Sequence, residues 1–266
     1  MSVHELFQTP RELPPHARYS EKLSPGSSHA WALATLRSLP FVGNLLDIGP
    51  GSGIIARRLY LGERPPPSEF NSESSSTLPH MVAVEPDRSS WSHLSTLYPR
   101  LVADLDDLPA EERFDTVLLL DVLEHVVNPE PLLSSAVVRL KPGGHLLVSV
   151  PNIAHIAIRL TLLAGFFPRM AKGPLDRTHL HFFTRTTIRS LLASCSDLEI
   201  VTEWSSIPPI ELLLPPSIRQ TTESSWIWGL ARRLHIELAR LLPSFFGYQI
   251  LFLLRKKSSK SATNDM

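Results

Sequence analysis

The chain has 266 residues, of which 43% are hydrophobic, so it can bury a sizeable core and is not an intrinsically disordered chain. Its 26 basic and 26 acidic residues cancel, so there is no global electrostatic attraction to nucleic acid, and we expect no nucleic-acid partner. The single cysteine, Cys195, excludes an internal disulfide. The apolar runs are too short for a signal peptide or a membrane span, so we expect a cytoplasmic protein.

The chain begins with a polar lead-in and a helix, together residues 1–43. From residue 44 onward, near-continuous apolar runs alternate with helical patterns, which is typical of parallel strands buried on both faces. The strands are predicted at Asn44–Ile48, Met81–Glu85, Arg100–Ala103, Thr116–Leu120 and His145–Val150. The helical patterns lie at 28–43, 53–61, 88–97 and 130–140. The sequence therefore predicts an α/β fold with a doubly wound sheet in one main domain, residues 44–257.

Two segments interrupt or follow this alternation. Residues 62–80 are rich in Pro and Ser, and we interpret them as a solvated loop inserted between the first helix of the domain and its second strand. Two last strands are predicted at Leu198–Trp204 and Gln249–Leu254. Between them lies a helical insertion, 205–245, with an amphipathic helix at Trp226–Leu242, and residues 258–266 are expected to form a flexible tail.

The strongest local motif is the run LLDIGPGSG, which joins the first predicted strand to a helix. Gly49, Gly51 and Gly53 let the backbone turn tightly and let a ligand approach the main chain closely. A dinucleotide site needs the spacing G-x-G-x-x-G, and the third glycine is absent here, which disfavours NAD. Asp47, near the end of the strand, suits a cationic ligand such as a sulfonium amino acid better than a phosphate.

Acids also follow the next two predicted strands. Glu85 ends the second strand, in VAVEPD, where a carboxylate can accept hydrogen bonds from both hydroxyls of a ribose. Asp104 and Leu105 follow the weaker third strand, where an acid beside an apolar residue suits an adenine. The three positions together predict a nucleoside-binding edge of the sheet.

The motifs LLDIGPGSG, VAVEPD, FDTVLLLDVLEHV and LKPGGHLLVSVPN, with Asp104 between the second and third, occur in an order that resembles the class I methyltransferases dependent on S-adenosylmethionine (SAM). The resemblance covers roughly residues 44–200. It implies a Rossmann-like, mostly parallel sheet of seven strands with an antiparallel last strand, and SAM as the cofactor. It implies that the methionine part lies among Asp47, Gly49, Gly51 and Gly53, the ribose at Glu85, the adenine at Asp104 and Leu105, and that Asp121 closes the site.

The run from Asp121 to His125, DVLEH, follows the fourth strand and should face the acceptor. His125 is a candidate general base, since the ordinary pKa of histidine lies near neutrality. Alternatively, Asp121, Glu124 and His125 hold a divalent metal, because DxxEH resembles the corresponding run of ubiquinone-biosynthesis O-methyltransferases. In a third interpretation, Glu124 and His125 only bond to nearby loops. We favour a site without metal.

The run DRTHLHFFT, which starts at Asp176, resembles the DRTHLRFFT run of bacterial methyltransferases that often accompany glycosyltransferases, with His181 where arginine is usual. The resemblance implies that this segment folds over the cofactor and lines the acceptor pocket, within a substrate loop at 152–185. His179 is then a second candidate base. Thr184 is predicted as the N-cap of a helix. The candidate substrate-binding residues are Asn152, His155, Asp176, Arg177 and Phe182.

The apolar run at Ile156–Met170 is predicted to be a lid helix that excludes water, or else a helix that dips into a membrane surface to collect a lipid-linked acceptor. The sequence thus predicts a methyltransferase that acts on a hydroxyl of a small molecule, a glycan or a lipid-linked acceptor. The alternatives are a SAM-fold binding or scaffold protein without turnover, and an NAD-linked oxidoreductase.

Overall fold

The computed structural model describes residues 26–60, 80–208 and 226–258. The predicted lead-in up to residue 25, the inserted segment up to residue 79 and the tail from residue 259 lie outside the described residues. Part of the predicted helical insertion, residues 209–225, lies outside them as well.

Seven strands form one sheet in the order β3-β2-β1-β4-β5-β7-β6. Strands β1 to β5 are parallel to one another, and β7 runs antiparallel to both of its neighbours, β5 and β6. The strands are β1 Leu45–Ile48, β2 Met81–Val84, β3 Arg100–Val102, β4 Phe114–Leu120, β5 Leu140–Pro151, β6 Leu198–Ser205 and β7 Gln249–Lys256. This arrangement confirms the predicted Rossmann-like sheet with an antiparallel last strand.

Eight α-helices surround or follow the sheet among the described residues. They are α1 Ser28–Ser38, α2 Ile54–Tyr60, α3 Trp91–Leu94, α4 Pro129–Arg139, α5 Ile156–Leu163, α6 Arg185–Ala193, α7 Trp226–Leu241 and α8 Pro243–Phe246. Thr184 caps α6 as predicted, since its hydroxyl oxygen accepts a hydrogen bond from the Thr187 amide at 3.2 Å.

Both faces of the sheet are covered, which explains the near-continuous apolar runs of the central strands. Alternate residues of a strand point to opposite faces. Leu46 and Ile48 join the larger apolar cluster, which contains buried side chains of α4 and α6. Leu45 joins the second cluster, with side chains of α1 and α2. Each such buried side chain contributes about 1.5–3 kcal/mol to folding.

Three predicted helices are shorter in the structure. The first ends at Ser38 because Leu39, which precedes a proline, adopts an extended backbone. The pattern at 88–97 forms a 3-10 turn, Arg88–Ser90, followed by the single turn of α3. The predicted lid helix ends at Leu163, shortly before Gly165, whose φ of 80° is incompatible with a continued helix. Within the described ranges, no helix combines the length and the apolar character that crossing a bilayer requires.

Candidate active site

The turn between β1 and α2 has a backbone that glycine alone adopts easily. Gly49, Gly51 and Gly53 have φ values of 67°, 58° and 67°. A Cβ atom on Gly49 would lie 2.9 Å from a methyl group of Val122, and one on Gly53 would lie 2.6 Å from a methyl group of Leu97. A Cβ on Gly51 would meet nothing within 4 Å. Packing therefore requires the outer two glycines, whereas Gly51 borders open space in which a ligand can approach the main chain.

Two buried carboxyl groups stand beside this turn, at neighbouring strand ends. Asp47 accepts a hydrogen bond of 2.5 Å from the Tyr98 hydroxyl, and Glu85 accepts one of 2.9 Å from the Asp87 amide. Burial is the main cause that raises the pKa of Asp47 to about 6 and that of Glu85 to about 7, and the charges of Asp87 and Asp47 contribute to the value for Glu85. The ionised pair is therefore costly without a nearby positive charge, and a cationic ligand would relieve that cost.

The predicted adenine site follows β3. The Asp104 carboxylate caps a 3-10 turn, Leu105–Asp107, by accepting a hydrogen bond from the Asp106 amide at 3.0 Å. The side chain of Leu105 is buried within the larger apolar cluster. The turn therefore holds the end of β3 in place at the carboxyl edge of the sheet, where the nucleoside site is predicted.

Asp121, directly after β4, has a strained backbone and a firmly held side chain. Its φ of 56° is the one positive value among the described residues other than glycine. The Ser149 hydroxyl donates to Oδ1 at 2.6 Å. The Gln249 amide donates to Oδ1 at 2.8 Å and to Oδ2 at 2.6 Å. Three donor contacts thus fix this carboxylate at the carboxyl edge of the sheet.

His125 and His179 come from distant parts of the sequence and meet edge to face, with ring centroids 4.8 Å apart. His125 Nδ1 lies 3.4 Å from the Thr178 carbonyl oxygen, and His179 Nδ1 lies 3.2 Å from the Pro174 carbonyl oxygen. Since a carbonyl only accepts, each Nδ1 carries the proton and each Nε2 keeps its lone pair. Burial lowers the pKa of His125 to about 4 and lowers the pKa of His179, so both rings are neutral near pH 7.

The alternative metal site of Asp121, Glu124 and His125 differs from the set of ligand atoms that the structure brings together. One ligand atom each from Glu124, His125 and His179 lies within 4.8 Å of the others. A carboxylate with two neutral imidazoles is a ligand set that a divalent transition metal accepts. The structure thus brings His179, rather than Asp121, to the two residues of the DxxEH run.

The DRTHLHFFT segment is organised by Asp176, which is fully buried. Its Oδ1 accepts hydrogen bonds from both the amide and the hydroxyl of Thr178, each at 2.8 Å. The Thr178 hydroxyl oxygen in turn lies 3.2 Å from His125 Nδ1. Arg177 is exposed and donates to the Arg169 carbonyl at 3.2 Å. Asp176 therefore orients His125 through Thr178, and Arg177 faces outward.

The other candidate substrate residues differ in what they contact. The Asn152 side chain is buried and bonds to main-chain groups, including the Gly247 carbonyl oxygen at 2.8 Å. His155 caps α5, because its Nδ1 accepts a hydrogen bond from the Ala157 amide at 3.3 Å. Phe182 has its ring centroid 6.3 Å from that of His179. Of these three side chains, Phe182 lies beside the candidate bases.

Four residues of the site had no role in the sequence interpretation: Tyr98, Ser149, Thr178 and Gln249. Ser149 and Gln249 are polar residues within apolar strand runs, and a polar residue in such a run could have been recognised in the sequence as a candidate for the site. Thr178 lies inside a recognised motif but carries no distinctive pattern. Nothing around Tyr98 in the sequence indicates that its hydroxyl reaches Asp47.

The fold and this edge of the sheet define the class of protein, an α/β methyltransferase. The family model described as a methyltransferase domain matches residues 14–203, and the chain belongs to this family. It is a member of the class I SAM-dependent methyltransferases, whose cofactor is SAM. This membership favours the methyltransferase interpretation over an NAD-linked oxidoreductase.

Individual relatives match part of the chain or its fold. A ubiquinone biosynthesis O-methyltransferase of Rickettsia bellii is 27% identical over 121 residues, which are 46% of this chain and 47% of that protein. The chain spans about half the length of the curated relatives it matches. A SAM-dependent methyltransferase from Thermotoga maritima has a TM-score of 0.51 at 16% identity, covering 91% of this chain and 92% of that one. The [4+2]-cyclase SpnF has the same TM-score at 15% identity, covering 91% and 87%. Both structures share the fold.

The residues at this edge fit SAM. The sulfonium and the ammonium of the cofactor are positive, and the buried carboxyl groups of Asp47 and Glu85 need a positive charge in order to ionise easily. Gly51 leaves open space beside the main chain, where the cofactor would approach.

Proposed function

We propose that this protein transfers the methyl group of SAM to a hydroxyl group of a small-molecule acceptor, in the cytoplasm, and that the acceptor is a glycan or a lipid-linked molecule. The observation that carries the proposal is the pair of neutral histidines, His125 and His179, each with its Nδ1 directed at a main-chain carbonyl oxygen, so that Nε2 is the nitrogen that would accept a proton. They stand within electrostatic range of Asp121 at the carboxyl edge of the sheet.

On the cofactor side, the chain binds and orients. Asp47 and the turn through Gly49, Gly51 and Gly53 are proposed to surround the methionine part, and Glu85 to hold the ribose. Asp104 and Leu105 are proposed to border the adenine through the turn they form. Asp121 closes the site, held by Ser149 and Gln249. Because these carboxylates are fixed before binding, little ordering entropy is lost when the cofactor arrives.

On the acceptor side, the chain supplies a base. Bound SAM would supply an activated methyl group, and in-line attack of the acceptor oxygen on that carbon would release S-adenosylhomocysteine. His179 Nε2 or His125 Nε2 accepts the hydroxyl proton as the oxygen attacks. The negative charge of Asp121 raises the pKa of both rings and so stabilises the imidazolium that forms. Phe182, beside His179, is proposed to contact the acceptor. Buried Asn152, His155 and Asp176 are proposed to support the wall of the acceptor pocket, and exposed Arg177 is proposed to lie at its outer rim.

A second candidate mechanism uses a divalent metal, and the cluster of Glu124, His125 and His179 favours it. These three residues would hold the ion, and the ion would lower the pKa of a bound hydroxyl group. The two histidines would then act as ligands and not as bases. We propose the mechanism without metal as the first to test.

One set of measurements separates these mechanisms. SAM and S-adenosylhomocysteine are titrated into the full chain by calorimetry, with and without EDTA, and single-turnover methyl transfer is measured on hydroxylated glycan and lipid-linked acceptors. If methyl transfer continues in EDTA, the mechanism with a histidine base is supported. If EDTA abolishes transfer and added Mn²⁺ or Zn²⁺ restores it, the metal mechanism is supported. Tight SAM binding without transfer to any acceptor would favour a scaffold protein, and no SAM binding would overturn the proposal.

A further inference from the structure

Exposed apolar side chains are concentrated in two segments. Of the seventeen large hydrophobic residues exposed within the described part of the chain, eleven belong to residues 160–170 or 230–245. Leu163 is 85% exposed, Leu241 is 73% exposed and Phe166 is 68% exposed. Scattered exposed apolar residues are normal, but a concentration of this kind marks a surface that contacts something other than water.

The two segments lie side by side. The Arg159 guanidinium, on α5, stacks over the ring of Phe245, on α8, at 4.5 Å from its centroid. The rings of His155 and His235 are stacked with centroids 6.4 Å apart, and they join the start of α5 to α7. These contacts join the first part of α5 to α7 and α8, so the exposed side chains of residues 160–170 and 230–245 lie near one another, and together they are called the apolar face below.

The apolar face is bordered by positive charge, although the whole chain is neutral. Between residues 156 and 182 there are four exposed cationic side chains, and the single acid, Asp176, is buried. The four are Arg159, Arg169, Lys172 and Arg177. The three arginines donate to main-chain carbonyl groups and have no carboxylate partner among the described residues. On α7, Arg233 and Arg240 are exposed beside one acid, Glu237.

We propose that the apolar face docks on the surface of an anionic phospholipid bilayer. Leu and Phe side chains enter the boundary between headgroups and acyl chains, and the arginines and Lys172 contact the lipid phosphates. A second copy of the chain fits less well, because a two-fold dimer would place the same cationic border against itself.

The apolar face also leads to the candidate bases. The rings of Phe167 and Phe182 contact edge to face with centroids 5.5 Å apart, and Phe182 lies next to His179. Arg169 stacks over Phe182 at 5.3 Å. If the proposed methyl transfer is correct, a lipid-linked acceptor passes from the membrane along Phe167 and Phe182 to His179. This delivery of the acceptor is the one part of the inference that rests on the proposed function.

The test is co-sedimentation of the full chain with vesicles, either of phosphatidylcholine alone or of equal parts phosphatidylcholine and phosphatidylglycerol. We expect binding to the anionic vesicles that weakens with added salt and is slight on phosphatidylcholine. Leu163→Ser with Phe166→Ser should lower the partition coefficient about tenfold or more, and Lys172→Glu should lower it by a similar factor. All these side chains are exposed, so the thermal unfolding midpoint should not change.

Matched control variants make the same kinds of substitution at exposed positions outside the apolar face. Val138→Ser with Val201→Ser removes two exposed apolar side chains from other elements, and Arg37→Glu reverses an exposed charge on α1. These variants should bind vesicles as the wild type does. Absence of binding to anionic vesicles, or an equal loss in the matched variants, would overturn the proposal. If the protein does not bind vesicles but forms a dimer, and Leu163→Ser with Phe166→Ser dissociates that dimer, the apolar face is an interface with a second copy of the chain. SAM affinity, measured separately, reports on the proposed function alone.

Discussion

Gln249 donates through its Nε2 to both carboxylate oxygens of Asp121, at 2.8 and 2.6 Å, although the two residues are 128 positions apart. Gln249 is the first residue of β7, the antiparallel strand beside β5, and Asp121 follows β4 on the other side of β5. The last strand of the sheet therefore holds an acid at the carboxyl edge of the sheet, where the cofactor is proposed to bind. This contact explains why a polar side chain is buried at the start of an otherwise apolar strand.

Gln249→Leu should weaken SAM binding. The variant removes the amide donor while keeping a side chain of similar volume, so Asp121 loses its main support and its φ of 56° becomes harder to maintain. A hydrogen bond to a charged group contributes about 1.5–3 kcal/mol, so we expect the dissociation constant in calorimetry to rise about tenfold or more. Thr202→Ala, at an exposed position of neighbouring β6, should leave it unchanged. Equal affinity for both variants would show that Asp121 does not depend on Gln249.

Gly51→Ala should reduce SAM affinity more than it reduces stability. The added Cβ meets nothing within 4 Å, so the folded protein bears only the cost of a left-handed backbone, about 1–2 kcal/mol. The methyl group would, however, enter the space proposed for the cofactor. Gly165→Ala is a matched variant, because Gly165 also has positive φ and open space around it. Thermal unfolding should show similar losses for both, and calorimetry should show a loss of SAM binding for Gly51→Ala only.

The sequence predicts the parts of this molecule that depend on local pattern. The strands β1, β2 and β4 are runs of apolar residues buried on both faces, and the turn at Gly49 needs a backbone that only glycine adopts easily. The meeting of His125 with His179 depends on how the segment after β5 folds back over the sheet edge, which no local pattern determines. The hydrogen bond between Tyr98 and Asp47, which are 51 residues apart, likewise depends on how α3 and the loop after it pack, and no local pattern predicts it.

SAM affinity should rise with pH through the range in which Asp47 and Glu85 ionise. Burial raises both pKa values, to about 6 and about 7, so the protein without ligand holds protons that its unfolded chain has released. Its stability is therefore greatest below the unfolded pKa values and is lost as the pH rises through the folded ones. A cationic ligand favours the ionised carboxylates and so offsets the free-energy cost of ionising them in the folded protein. Calorimetry from about pH 5 to about pH 8 should show affinity increasing, with a weaker dependence in Asp47→Asn. A flat profile in the wild type would contradict the assignment of these acids to the cofactor.

Replacement of the two candidate bases should separate their roles. His179→Ala or His125→Ala should slow single-turnover transfer about 10²–10⁴-fold at saturating SAM, whichever residue accepts the proton. His181→Ala is the matched variant, since this second histidine of the DRTHLHFFT segment bonds to the Val127 carbonyl oxygen at 3.0 Å and not to the pair. If His125 is the base, its pKa of about 4 keeps it unprotonated through neutral pH, so the rate should stay level above about pH 6 and fall only in more acidic solution. A rate that falls as the pH drops through the ordinary histidine pKa would instead contradict His125 as the base, because the pKa of its half-buried ring is lowered to about 4. If neither replacement slows transfer, the acceptor hydroxyl reacts without help from this pair.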